Sequence, residues 1–262
     1  MHLQFCELIF PVYISFGNSR LLLHSLLEIV AFYVGYKYFQ ILRRKQGDNL
    51  SGTHRAWVFA GAIFGALIGS RLLGGLENFS LLRQTDNLLL YFYQNKTVVG
   101  GFLGGLFGVE WIKKIIGEKK SSGDLFVKPI LLALIIGRMG CFSMGVFEET
   151  YGIPTSLPWG MNLGDGLSRH PVAIYEIIFL ILLWSFITRI ERKHELRTGA
   201  AFKIFMITYL IFRFTLDFIK PHYNIIPGFS VIQLACVGGL IYYRREIWSP
   251  NRMLLKYEPT DA

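Results

Sequence analysis

The sequence predicts an all-α integral membrane protein with about seven transmembrane helices, and three observations carry that prediction. Only 17% of the 262 residues are charged and 52% are hydrophobic, where a typical soluble domain has about 25% charged residues. Uncharged apolar runs recur along the chain, such as AWVFAGAIFGALIGS at 56–70. Lysine and arginine are crowded into alternate loops, as insertion into a membrane requires.

A helix needs about 20 mostly apolar residues to cross the hydrocarbon. Stretches of that kind lie near 21–42, 54–74, 97–117, 125–145, 170–190, 199–219 and 228–245. Residues 1–20 mix polar and apolar side chains around Pro11 and Gly17 and read as an interfacial arm. LLLYFYQ at 88–94 is too short to cross, and its tyrosines suit an interface. Residues 146–169 form a long, irregular outer loop rich in glycine and proline, and 246–262 form a tail. The N-terminus lacks the order of a cleaved signal peptide, so the first helix is expected to be retained. With no Pro/Gly/Ser linker, 1–262 reads as one polytopic membrane domain.

Orientation follows from the basic residues. The loops after the first, third and fifth spans, together with the tail, hold 18 lysines and arginines, from Arg43, Arg44 and Arg55 to Arg252 and Lys256. The opposite loops hold five: Arg20, Arg83, Lys96, Arg169 and Lys220. The N-terminus is therefore expected outside and the C-terminus in the cytoplasm. The net charge of +9 becomes mostly a topogenic signal, which argues against nucleic acid as a partner. Cys6, Cys141 and Cys236 have no disulfide or zinc-type spacing and read as small apolar residues. In the second and third spans, Gly61, Gly65 and Gly69, and Gly100, Gly104 and Gly108, recur every fourth residue, as helices in close contact require. A glycine floor for a lipid headgroup fits best at Gly100 and Gly101.

Ionisable groups inside a membrane cost about 2.5–3.5 kcal/mol each on insertion scales and usually mark function. Here they are His24 and Glu28, Arg71, Arg138, His170 and Glu176, and Arg213 with Asp217. In the expected orientation all lie in the outer half of the membrane. Arg213 and Asp217 could simply pair along one helix face. Three arginines and two histidines gathered with three acids at one level point instead to an outward-facing site for an anion. In that leaflet the anion at hand is a phospholipid phosphate, which a guanidinium fork binds in a bidentate way.

Several of these residues sit in recognisable motifs. GRMGCF (137–142), PWGM (158–161) and RHPVAIYE (169–176) resemble the signature region of prolipoprotein diacylglyceryl transferases. GGFLGGLFGV (100–109) is similar to a glycine-rich segment of that family. FRFTLDFIKP (212–221) and SVIQ (230–233) are similar to its late helix and the stretch that follows. The matches run in order from about residue 97 to 240.

The resemblance implies a bacterial inner-membrane enzyme with its active site on the periplasmic side. Such an enzyme moves the diacylglyceryl group of phosphatidylglycerol to the lipobox cysteine of a prolipoprotein, releasing glycerol phosphate, with no metal or cofactor. By the same resemblance Arg138 and Arg213 would hold the phosphate, Asp217 would orient Arg213, and His170 and Glu176 would complete the catalytic set. Arg71, Gly100, Gly101, Gly137, Gly140, Tyr175, His24, Glu28, Ser230 and Gln233 would line the substrate site. The chain departs from the family pattern at Val99, Cys141, Met144 and Val146, where the family has a histidine, two asparagines and a glutamate. His24, Glu28 and His170 remain as candidate bases. Two other readings stay open: a transferase of the same fold with another acceptor or phospholipid, and a non-enzymatic lipid-binding protein.

Overall fold

A computed structural model of the chain describes residues 9–17, 19–221, 224–226 and 228–254. Cys6 with the rest of 1–8, and Lys256 in the tail, lie outside the described residues. The fold is mostly helical. A hairpin of β1 (Tyr13–Phe16) and β2 (Ser19–Leu22) leads into α1 (Leu23–Gln46). Then come α2 (Gly52–Glu77), the short α3 (Phe79–Gln84) and α4 (Leu88–Gln94), α5 (Val98–Ile115) and α6 (Asp124–Met144). After a small hairpin of β3 (Met161–Asn162) and β4 (Ser168–Arg169) follow α7 (Val172–Lys193) and α8 (Ala200–Leu216). A third hairpin, β5 (Asn224–Ile226) with β6 (Phe229–Ser230), precedes α9 (Val231–Tyr242) and α10 (Arg244–Trp248).

Each of the seven expected stretches overlaps one of the longer helices. Three helical stretches, α2, Asp124–Phe147 and α7, are long and apolar enough to cross a membrane. Their outer faces carry exposed large apolar side chains such as Phe64, Leu67, Ile181 and Leu182, as helices solvated by hydrocarbon do. The last helix departs from expectation. α9 has 12 residues, about 18 Å of helix, against about 30 Å of hydrocarbon. It starts late because a reciprocal capping box of Ser230 and Gln233 fixes its first turn and the preceding residues are spent on the hairpin.

By backbone proximity the chain divides into two compact units, each built from separate stretches of sequence. One contains Met1–Leu42, Lys128–Phe186 and Ile219–Pro221. In it the arm is tied to the end of α6. The Val12 amide donates to the Ser143 carbonyl at 2.8 Å, and Phe10 and Phe142 meet edge to face at 5.7 Å. Tyr38 of α1 stacks on Trp184 of α7 at 5.9 Å. The other unit contains Arg43–Val127, Ile187–Phe218 and His222–Ala262. Its centre is the crossing of α2 and α5, where the expected glycine rows meet: a methyl on Gly65 would lie 2.3 Å from the Gly104 carbonyl oxygen, and one on Gly100 2.3 Å from that of Gly69. Phe102 of α5 packs edge to face on Phe205 and Tyr209 of α8, at 5.3 and 5.0 Å. Asn78 and Asn87 cap α3 and α4 through their side-chain oxygens.

Candidate active site

The ionisable residues singled out from the sequence are grouped within each unit, five in the first and three in the other. In the first unit the last turns of α6 face the first turn of α1. Gly140 permits this approach, since a methyl there would lie 3.3 Å from His24 Nδ1 and 3.4 Å from Leu27. Arg138 and Cys141 stand three residues apart, on neighbouring positions of one helix face, and Arg138 Nη1 donates to Cys141 Sγ at 3.5 Å. Arg138 Nε lies 2.8 Å from Glu176 Oε2, where both side chains are almost wholly buried. A pair this deep is held in one geometry, because removing either partner strands a charge at a cost of about 3–5 kcal/mol. Glu176 thus fixes the plane of the Arg138 fork.

Beside that pair, His24 Nδ1 lies 3.3 Å from Glu148 Oε2, and His24 Nε2 lies 3.8 Å from Glu28 Oε2. Glu148 reaches this position because the chain turns through a short 3-10 helix, Gly145–Phe147, directly after α6. One nitrogen of His24, one oxygen of Glu148 and the sulfur of Cys141 all lie within 4.8 Å of one another. Gly137, on the same stretch of α6, opens on free space.

A second cluster in the same unit forms at the start of α7. Trp159 Nε1 donates to the Tyr175 hydroxyl at 2.9 Å, and that hydroxyl lies 3.2 Å from His170 Nδ1. The Tyr175 hydroxyl thus bridges the Trp159 indole and the His170 imidazole. The loop that carries Trp159 is ordered by Arg169. Its guanidinium binds Asp165 at 2.6–2.8 Å, donates to the Gly152 carbonyl at 3.2 Å and lies over the Tyr151 ring at 5.0 Å. That pairing holds the Asp165 carboxyl below its usual range.

In the other unit Arg213 lies 4.0 Å from Asp217, one turn on. Asp217 also takes a short hydrogen bond from the Ser230 hydroxyl. Ser230 Oγ in turn accepts from the Gln233 amide at 3.1 Å, and Gln233 Nε2 donates to the Phe214 carbonyl at 3.3 Å. All four side chains are buried. Arg71 of α2 is committed to α4: it donates to the Tyr93 carbonyl and lies over the Tyr93 ring at 5.0 Å. Gly100 packs against Gly69 and Leu73 of α2, whereas a methyl on Gly101 would meet nothing closer than 3.8 Å.

Two features escaped the sequence reading. Glu148 lies two residues past Val146, and nothing in the spacing tied it to His24, 124 residues earlier in the chain. Arg55, counted among the topogenic charges, is buried: it binds Asp48 through Nε at 2.9 Å and again through Nη2, and donates to the Ser122 carbonyl at 3.0 Å. The only signal for it was an aspartate seven residues earlier.

Comparison with known proteins agrees with the motifs. The chain is similar to the phosphatidylglycerol–prolipoprotein diacylglyceryl transferase of Nitratidesulfovibrio vulgaris strain DP4, with 29% identity over 229 residues, covering 80% of this chain and 81% of the relative. The enzyme of the same name from Idiomarina loihiensis is 32% identical over 217 residues, 75% of this chain and 74% of the relative. That from Bordetella bronchiseptica is 29% identical over 231 residues, 82% and 83%. The family profile for prolipoprotein diacylglyceryl transferase matches residues 11–243, from the β1 arm to the end of α9 and across every cluster described above. By that match, which takes in nearly the whole chain, the protein belongs to the prolipoprotein diacylglyceryl transferase family.

Proposed function

We propose that this chain transfers the diacylglyceryl group of phosphatidylglycerol, or a closely related phospholipid, to a cysteine thiol of a prolipoprotein. The observation that carries this reading is the Arg138–Glu176 pair, a buried guanidinium 2.8 Å from its carboxylate, which joins the motifs GRMGCF and RHPVAIYE. The transfer joins the thiol sulfur to a glycerol carbon and breaks that carbon's bond to the phosphate oxygen. Charge therefore builds on the departing phosphate, and a pre-aligned guanidinium stabilises that charge more than it stabilises the ground state. Arg213, set by Asp217 and Ser230, is a second guanidinium of the same anion-binding chemistry. Tyr175, anchored by Trp159 and His170, serves as a polar wall of the substrate site, together with Gly137 and Gly140. Arg71, Gly100, Gly101, Gln233, His24 and Glu28 complete the set assigned to substrate binding.

The same reading keeps seven spans, the last built around the short helix α9 with its flanking residues, puts the N-terminus outside and the C-terminus in the cytoplasm, and places the site on the periplasmic side of a bacterial inner membrane. The loop charges and the outer-half depth of the polar residues support it.

The test is complementation. In cells depleted of their own transferase, the chain should carry labelled lipid onto a reporter lipoprotein, and Arg138→Ala or Arg213→Ala should abolish the label while the protein still inserts. No labelling by folded, inserted protein would sink the proposal. Val99, where the family has histidine, favours a second reading, in which the acceptor is a different thiol or hydroxyl. In that case the reporter stays unlabelled while the phospholipid profile of the cells changes.

A further inference from the structure

We propose that His24 is the general base that takes the proton of the acceptor thiol, and that Glu148 is the residue that positions it. The inference deepens the transferase reading and rests on it for the identity of the acceptor. It supplies the proton acceptor that Val99 cannot be.

One turn of the chain delivers Glu148. Gly145 has φ +59°, a left-handed conformation that a β-carbon disfavours, and a methyl there would run into the Leu163 carbonyl oxygen. The Val146 amide donates to that same carbonyl at 3.0 Å, which fixes the turn after α6. Glu148 is thereby brought to α1, while its neighbour Glu149 is exposed. His24 Nδ1 and Glu148 Oε2 lie 3.3 Å apart, with side chains 15% and 25% exposed. Neither atom has a well-aligned hydrogen-bond partner among the described residues, and catalytic pairs commonly align only once substrate is bound.

The pairing decides which ring nitrogen does the work. An ionised carboxylate only accepts hydrogen bonds, so Glu148 holds the proton of a neutral His24 on Nδ1 and leaves the lone pair on Nε2. On that side stands Glu28 Oε2 at 3.8 Å, with its side chain 43% exposed. That separation is beyond hydrogen-bond length, and an acceptor thiol can reach Nε2. The two carboxylates then flank the imidazolium that proton transfer creates. Of the other candidate bases, His170 meets the Tyr175 hydroxyl rather than a carboxylate.

The base also stands beside the proposed phosphate site. One nitrogen of His24, one oxygen of Glu148 and Cys141 Sγ lie within 4.8 Å of one another, and Arg138 Nη1 donates to that sulfur at 3.5 Å. A single side chain, Cys141, therefore separates the proton acceptor from the guanidinium that steadies the departing phosphate. The acceptor thiol gives its proton to His24 Nε2, since the thiolate is the nucleophile. The sulfur electron pair attacks the glycerol carbon. The C–S bond forms while the C–O bond breaks, and its electron pair goes to the phosphate oxygen. Glycerol phosphate leaves, and the imidazolium returns its proton to water.

The experiment uses full-length protein in mixed micelles with phosphatidylglycerol and two lipobox peptides, one carrying cysteine and one selenocysteine. A selenol is largely ionised at neutral pH and needs no base. With the cysteine peptide, His24→Gln should lower kcat about 100- to 10,000-fold, with KM changed little. Glu148→Gln should lower kcat by a smaller factor, and Glu148→Asp should recover part of that loss. The selenocysteine peptide should recover most of the loss in both His24→Gln and Glu148→Gln. Transfer to the cysteine peptide at the unmodified protein's rate by His24→Gln overturns the inference and leaves the transferase reading intact. So does an equal loss with both peptides in a variant that shows a normal melting transition; if His24→Gln does not fold, the same comparison in Glu148→Gln decides. Unmodified protein that transfers lipid to neither peptide overturns the transferase reading and the base with it.

Discussion

The crossing of α2 and α5 makes a sharp prediction, because two glycines at this one crossing should respond differently to the same methyl group. In Gly65→Ala the new carbon would lie 2.3 Å from the Gly104 carbonyl oxygen, where ordinary contact begins at 3.4 Å. The obstacle is backbone, so it cannot rotate away, and the helices must part by about 1 Å. Overpacking of this kind costs about 1–3 kcal/mol. In Gly105→Ala the nearest atoms, on Ala62 and Ala66, are at 3.5 Å, so the methyl enters ordinary contact. Helices separated in lipid or detergent stay helical, which leaves little gain from the better helix propensity of alanine. Gly105→Ala should therefore be close to neutral and Gly65→Ala destabilised by about 1–3 kcal/mol. Equilibrium unfolding in mixed micelles can be followed by Trp57 and Trp111, which are exposed on these two helices. Equal midpoints for the two variants, or a lower one for Gly105→Ala, would refute the packing.

Three further outcomes are expected. Arg55→Ala takes from the Asp48 carboxylate its most deeply buried partner, leaving it Arg43 Nε at 2.8 Å, and should lower stability by about 1–3 kcal/mol in a thermal melt. Burial pushes the Asp48 carboxyl up, but the Arg55 hydrogen bond, the Leu50 amide and the charges of Arg55 and Arg43 outweigh it and hold the group below its ordinary value of 3.8. A carboxyl depressed in the folded state stabilises fully above that value and loses its contribution as pH falls through the folded pKa, so the melting temperature should drop below about pH 4, and less so in Asp48→Asn. In the proposed reaction Arg138→Lys keeps the charge but loses the planar fork, and should lower kcat/KM by on the order of 10- to 100-fold with KM changed less than kcat; full activity would remove Arg138 from the chemistry.

Much of this architecture was legible in the chain because a bilayer imposes one-dimensional rules. A span must be apolar over a fixed length, so composition alone marks α2, α6 and α7. The rows Gly61–Gly65–Gly69 and Gly100–Gly104–Gly108 announce a close crossing because a helix repeats its face every three to four residues, and α2 and α5 meet along those rows. Ser230 and Gln233 were visible as a motif and prove to be a helix cap, a local device that spacing can encode.

What spacing cannot encode is which faces of different helices meet. The shortness of α9 follows from that cap and from a hairpin whose strands pair with each other. Arg55 looked like a loop charge, but its environment is set by Asp48, Ser122 and the Phe126 ring, 5.4 Å from the guanidinium. His24 stood out in sequence as an ionisable group within a span and Glu148 did not, and only the approach of α1 to α6 over Gly140, with the turn after α6, brings the two to 3.3 Å beside Cys141. The sequence by itself determined the solvent, the length of most helices and the family. Tertiary packing decided the partner of each buried charge, because a polar group in a low-dielectric interior takes whichever complementary group the packed helices bring within reach.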